Sequence, residues 1–206
     1  MTILLDIIHA VLENQLPYNH GIQFCSTSAL LQSIGCADLP VIIGQQHIKN
    51  ITASFDDENS QHDISPELLA KVPEALEHPM FVFDSPARSD SVVAVLDLYD
   101  NKNQALFVCI HVNGFLRTGR NEQTVNFITS IYGKRNDGTQ AQFSRAAKEN
   151  RLLYFDSKLI DNMFKKTGFK IKYNFLNNFD KKVIKLSSNV KNTAEDAEKY
   201  NRKYRH

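Results

Sequence analysis

The chain has 206 residues, 42% of them hydrophobic and 23% charged, with a formal net charge of +1. That length holds one domain with a full core, and the composition is ordinary for a globular protein. Trp is absent, so Phe, Leu, Ile and Val must build the core. The 3 cysteines form no CxxC pair and no zinc pattern, and their odd number argues against a disulfide framework. They read as buried or free thiols of a reducing compartment.

Charge is unevenly spread. Residues 1–164 hold 12 Lys+Arg against 19 Asp+Glu, a balance of −7. Residues 165–206 hold 12 against 4, a balance of +8. A basic end on an acidic body suits an arm for a polyanion. It equally suits a solvated tail docked on its own acidic body.

The start, Met1 to His9, is apolar but lacks a basic region ahead of it, and Asp6 and His9 interrupt it. It is neither a signal peptide nor a membrane span. Export would need a route without a cleaved signal, or the chain is the end of a longer protein. Ile3, Leu4, Ile7, Ile8, Val11, Leu12 and Leu16 recur at helical spacing, and Pro17 ends that helix. A second helix is expected from Ser26 or Thr27 to Ile34, closed by Gly35. Leu39 to Ile43 reads as a short buried strand and Gln45 to Ala53 as a helix. Asp56 to Ser65 is a polar loop. Ser65 then caps a helix with Pro66 at its first position, ending before Pro79.

The densest strand signal follows in Met80 to Asp84, Ser91 to Leu98 and Ala105 to Val112, with a turn at Asp100 to Asn103. Thr124 to Tyr132 is a fourth strand, closed by Gly133. Consecutive strands of this kind form an antiparallel meander. Helices return over Ala141 to Asn150 and Ser157 to Thr167. The expected fold is α+β: N-terminal helices, an antiparallel four-stranded sheet, then C-terminal helices. Residues 1–168 form one domain, with 1–23 as a helical lead-in, and 169–206 form a basic extension. Within that extension Lys170 to Phe175 alternates like an edge strand, and Thr193 to His206 is polar and helix-permissive.

No P-loop, GxGxxG, HExxH or GxSxG occurs, so nucleotide-cofactor and serine-hydrolase readings lack support. No metal or cofactor is implied. His47 and Lys49, two apart on a helix, face different directions. His62 lies in the polar loop. His111 ends a strand and reads as structural. Period two puts Asn126, Ile128, Ser130 and Tyr132 on one strand face, with Phe127, Thr129 and Ile131 on the other. That polar face, followed by Gly133, Lys134 and Arg135, suits an RNA-facing surface. Cutting RNA without a metal needs an acid or base, for which His is suited, and a cation to stabilise the phosphorane. Ser and Tyr hydroxyls can hold phosphate oxygens. His62, Lys49, Ser130, Tyr132 and Lys134 would fill these roles if the fold gathers them. On residue types alone, a solvated loop histidine, cross-strand packing and a solvated turn are the more usual readings.

An ordered pattern goes further. Leu39 to Ile43, Lys49, His62 to Ser65 and Leu76 to Ser85 resemble the first half of the MuF C-terminal domain of phages. Asn126 to Lys134 and Asn150 to Lys158 resemble its second half. The resemblance spans about Phe24 to Phe169. It implies membership of the barnase–EndoU–colicin–RelE superfamily of small α+β nucleases, mostly metal-independent ribonucleases used as toxins. It implies His62 as acid or base, Ser130 and Tyr132 as phosphate or base contacts, Lys134 as charge stabiliser and Lys49 as a further catalytic candidate. Asn126, Arg135, Tyr154 and Lys158 would contact RNA. The implied function is a ribonuclease toxin acting on tRNA or other RNA in a bacterial cytoplasm, restrained by an immunity protein. The alternative is an inactive, phage-associated module that binds nucleic acid or a partner.

Overall fold

A computed structural model describes residues 2–17, 21–53, 64–118 and 121–167, with side chains not described at 2, 117, 118, 121, 166 and 167. The polar loop with His62 and the extension beyond Thr167 therefore lie outside the described residues.

The chain begins with helix α1 (Thr2–Leu12), strand β1 (Gly21–Ser26), the short helix α2 (Ala29–Ser33), strand β2 (Pro40–Gly44) and helix α3 (Gln45–Thr52). Two short helices follow, α4 (Pro66–Leu69) and α5 (Val72–Ala75). Then come β3 (Phe81–Asp84), β4 (Ser91–Tyr99), β5 (Ala105–Thr118) and β6 (Asn121–Lys134). Helix α6 (Asn136–Lys148), strand β7 (Leu152–Phe155) and helix α7 (Ser157–Thr167) complete the described order.

Helix α2 starts later than expected: Ser26 ends β1, and Ser28 caps α2 by accepting from the Leu31 amide, with Gly35 following at a φ of 109°. Ser65 caps α4 by accepting from Leu68, with Pro66 at the first position. Asp156 caps α7, accepting from the amides of Lys158 and Leu159. Asp100 makes the β4–β5 turn by accepting from the amides of Lys102 and Gln104.

The sheet is larger than expected. It has seven strands in the order β1-β2-β6-β5-β4-β3-β7. The four expected strands are its centre and do run antiparallel. The expectation of a four-stranded, wholly antiparallel sheet is nevertheless overturned. On one edge β2 joins β6 in parallel, and β1 pairs antiparallel with β2; on the other edge β7 pairs with β3. Each addition is short. β1 alternates with Ile22 and Phe24 inward, a pattern brief enough to pass as a loop. β7 has four residues between two helices, and its signal is swamped by theirs. The parallel pairing of β2 depends on the crossover carrying α3, α4, α5 and three strands, which periodicity cannot reveal.

The sheet is buried on two faces. One face carries Val41, Ile43, Val82, Val92, Ala94, Leu96, Leu106, Val108 and Ile110, packed with Ile8, Val11, Leu31, Ile48, Ile51 and Leu69 of the N-terminal helices. The opposite face carries Phe81, Phe83, Val93, Val95, Ala105 and Phe107, covered by Phe143, Ala146 and Ala147 of α6 and by Ile160, Met163 and Phe164 of α7. Phe143 meets Phe81, Phe155 and Phe164 edge to face at centroid distances of 5.2, 5.9 and 6.1 Å, an arrangement worth about 0.5–1.5 kcal/mol per pair beyond burial. α6 packs on β3 and β7, toward one end of the sheet. The β2–β1 end of that face thus lies beyond this apolar cluster.

Candidate functional site on the sheet

β6 carries most of the residues singled out above, but a bulge divides it. Cys109 of β5 faces Ser130, whereas the next residue, Ile110, faces Ile128. Thr129 is the extra residue, and an extra residue in one strand reverses which side its successors occupy. Ile128 and Ile131, three apart, both enter the core beneath the N-terminal helices. Tyr132 instead packs in the opposite cluster with Phe107. Asn126, Ser130 and Tyr132 therefore do not share a face, contrary to the period-two expectation. Ser130, Tyr132 and Lys134 share one, opposite Cys109, Phe107 and Ala105.

Asn126 is 1% exposed and fully engaged. Its Nδ2 donates to Thr27 Oγ1 at 2.7 Å and to the Ala37 carbonyl at 3.0 Å, and its Oδ1 accepts from the Asn113 amide at 3.0 Å. It fastens the α2 segment to the β5–β6 pair rather than facing solvent.

The face of Ser130, Tyr132 and Lys134 is built on aromatic packing. The Tyr132 ring stacks on Phe107 at 5.5 Å and 20°, and its hydroxyl is hydrogen-bonded with the Cys109 thiol. Burial, reinforced by Cys109, pushes the phenol up to about 12. Tyr132 is thus a protonated donor at neutral pH, not a base. Lys134 Nζ stands 5.4 Å from the Phe107 centroid, within cation–π range, and its stem runs beside Gly138 in the first turn of α6. Beneath that turn, Asn136 Oδ1 and Gln140 Nε2 are buried and have no hydrogen-bond partner among the described residues.

The other expected residues fall elsewhere. Lys49 Nζ donates to Asn14 Oδ1 at 2.6 Å, which ties α3 to the end of α1. Arg135 is exposed and paired with Asp137 at 2.7 Å. Tyr154 packs against the core on the opposite side of the sheet from Tyr132. Lys158 is exposed in the first turn of α7. Only Ser130, Tyr132 and Lys134 of the described set are brought onto one face; His62 lies outside the described residues.

Sequence reasoning passed over a second group on that face. His111 faces Phe127 across β5 and β6 and Ser91 across β5 and β4. Its Nδ1 lies 3.3 Å from Asp90 Oδ1. Phe127 meets the His47 ring edge-on at 5.7 Å, and His47 is hydrogen-bonded to the Thr129 backbone. Burial holds the His47 imidazole below its ordinary value of 6.5, against the opposing pull of that hydrogen bond. No such pairing is visible from spacing, because Asp90 and His111 sit on different strands.

All three cysteines are free, as expected. Burial pushes Cys36 and Cys25 up to about 12 and raises Cys109. Among the described residues no group of three His, Cys, Asp or Glu is placed to hold a metal ion. No helix among them is long and apolar enough to cross a membrane.

These features define an α+β domain with a mixed sheet, helices over one face and over part of the other, and a polar, aromatic strand surface beside the second helical layer. Residues 53–162 match the family described as the phage MuF C-terminal domain, just over half of the chain, and the chain belongs to that family. The match is narrower than the span from Phe24 to Phe169, so β1, β2 and α3 precede it. No curated protein and no solved structure matches the chain.

Proposed function

We propose that this protein is a metal-independent ribonuclease toxin that cuts tRNA or other RNA in the cytoplasm of a bacterial cell. The observation that carries the reading is the row Ser130, Tyr132, Lys134 on one face of β6. Two hydroxyls and an ammonium at every second residue suit a phosphodiester strand laid along β6, with the ammonium opposing charge that develops on phosphorus-bound oxygens. The buried polar atoms of Asn136 and Gln140 next to Lys134 offer an acceptor and a donor to a polar ligand. The proposed acid or base from the family pattern is His62.

A toxin of this class requires restraint in the cell that makes it. An immunity protein with an acidic face would complement Lys134 and Arg135 and the basic residues 169–206.

The test is incubation of the purified protein with total bacterial RNA in excess EDTA. Fragmentation is expected, and Lys134→Ala should slow it about 100-fold or more. Intact RNA, together with equal toxicity of the parent and His62→Ala on expression, sinks the reading.

A second reading has an observation of its own. Tyr132 and Lys134 already have partners in Cys109 and Phe107, as packing residues do. The domain would then be an inactive, phage-associated module that binds nucleic acid or a partner without turnover. Its binding should weaken with salt, and removal of residues 169–206 should shrink that dependence.

A further inference from the structure

We propose that Asn136 Oδ1 and Gln140 Nε2, at the start of α6, read the edge of one nucleobase in the RNA bound along β6. The assignment takes its substrate from the ribonuclease reading above.

Asn136, Gln140, Phe143 and Ala147 form one stripe along α6 at helical spacing, and Phe143 points that stripe at Phe81 of the sheet. From Phe143 onward the stripe is apolar and belongs to the cluster with Phe81 and Phe107. At its N-terminal end the apolar side chains give way to two carboxamides. Gln140 is 8% exposed, and its Nε2 is buried with no hydrogen-bond partner. Asn136 Oδ1 is buried and equally unpartnered. A buried amide nitrogen without an acceptor costs stability, and Leu or Met at position 140 would carry no such cost. Helical side chains lean toward the N-terminus, so Gln140 reaches back toward Asn136, one turn away. The two atoms are a donor and an acceptor, yet they do not bond to each other. Each is left for a group that supplies the complement of both.

A nucleobase supplies it. A base edge sets an N–H beside an acceptor oxygen or ring nitrogen. The N–H donates to Asn136 Oδ1, and the acceptor receives from Gln140 Nε2. A phosphodiester offers acceptors only and would leave Asn136 Oδ1 unpaired.

The surroundings suit a nucleotide. Tyr99 faces Ala105 across the β4–β5 pair, and Ala105 faces Lys134 across the β5–β6 pair. An aromatic ring and an ammonium thus stand on either side of a small residue. The Tyr99 hydroxyl is hydrogen-bonded with the Asp97 carboxylate, which holds the ring in place. The chain runs from Lys134 through Arg135 directly into α6, which sets the amide pair at this end of the sheet. Arg135 at the N-cap makes no side-chain capping bond, and the carboxylate of the first turn, Asp137, is paired with Arg135. The positive end of the helix, with Lys134, therefore favours the phosphate attached to the base. Asn136 as a whole is half-buried, which places the way in at the start of the helix.

The test uses the full chain and the four nucleoside 3′-monophosphates, titrated one at a time against the side-chain amide resonances. At least one should shift the Gln140 Nε2 protons, and the four should differ in affinity by about 10-fold or more. Gln140→Met should weaken the tightest nucleotide about 10-fold while keeping or raising the thermal midpoint, because an apolar chain replaces a stranded donor. On mixed-sequence RNA in EDTA the parent should cut preferentially beside the tightest-binding base, and Gln140→Met should level that preference. Four nucleotides of equal affinity, or a folded Gln140→Met that binds them as the parent does, overturn the subsite; RNA cleavage by the same preparation leaves the ribonuclease reading standing. A parent that binds one nucleotide through Gln140 and cleaves no RNA keeps the base subsite and overturns the ribonuclease reading. Gln140 resonances that answer N-acetylglycinamide and no nucleotide give the pair to a peptide and overturn the assignment. Where Gln140→Met fails to fold, titration of the unmutated chain decides: Gln140 amide protons that stay still with all four nucleotides overturn it.

Discussion

The Thr129 hydroxyl donates to the Cys109 carbonyl at 3.3 Å, where β6 carries one residue more than its partner strand. The bulge absorbs that residue, and so Ser130, Tyr132 and Lys134 keep their side of the sheet. Deleting Thr129 removes the bulge, sets Ser130 directly after Ile128, and leaves Ile131 in the core and Tyr132 on the opposite face. A loss of no more than about 3 kcal/mol is expected, since no core side chain changes sides. Chemical denaturation of the deletion variant checks it; a much larger loss would show that the bulge itself holds the two halves of β6 in place.

Asn126→Ala removes three hydrogen bonds at a site 1% exposed: the Asn113 amide loses this acceptor and the Ala37 carbonyl a donor, while the Thr27 hydroxyl keeps its bond to the Leu39 carbonyl. Stranded buried groups cost about 1–3 kcal/mol each when water cannot reach them. A drop of about 2–4 kcal/mol in unfolding free energy is expected from urea titration. RNA cleavage per folded molecule should hold, because Asn126 faces away from Ser130 and Tyr132.

Lys134→Met keeps the aliphatic stem over Phe107 and Gly138 and removes only the charge. Its thermal midpoint should stay within a degree or two of the parent, roughly the effect of an exposed cation–π contact. Its RNA cleavage should fall by about 100-fold. A parallel loss of stability and activity would recast Lys134 as packing.

His47 makes stability depend on pH. Its folded value lies below the ordinary 6.5, so the unfolded chain binds the proton more readily. The contribution of the neutral ring is present above about pH 6.5 and is lost as pH falls through 6.5 toward the folded value. Urea midpoints between pH 7.5 and 5.5 should show a decline that His47→Phe reduces. An identical decline in the variant would move the effect to another group.

Thiol chemistry offers a further check. Cys36 is buried and pushed up to about 12, which keeps the thiolate scarce. Alkylation of the native protein at pH 8 should leave Cys36 unmodified long after unfolded chain has reacted fully; rapid labelling in mass spectra would contradict its burial.

Much of the fold was legible locally. The capping residues Ser65 and Pro66, the β-branched runs of β3, β4 and β5, the Asp100 turn and the bounds of α7 all follow from side-chain chemistry acting within a few residues. β1 and β7 were not legible, because strands this short gain their stability from neighbours rather than from their own pattern. The site was only half legible. Ser130, Tyr132 and Lys134 were chosen for their chemistry and do lie together, but Asn126 was assigned to their face because alternation was assumed to run unbroken.

By itself, the sequence determined the α+β character and the central antiparallel strands, since these depend on propensity and short-range hydrogen bonding. Only the tertiary structure decided that β2 runs parallel to β6, that Asn126 is a buried fastener, and that Asp90 meets His111. Those outcomes depend on pairing between distant strands and on one unpaired residue in β6. The local pattern holds no record of either.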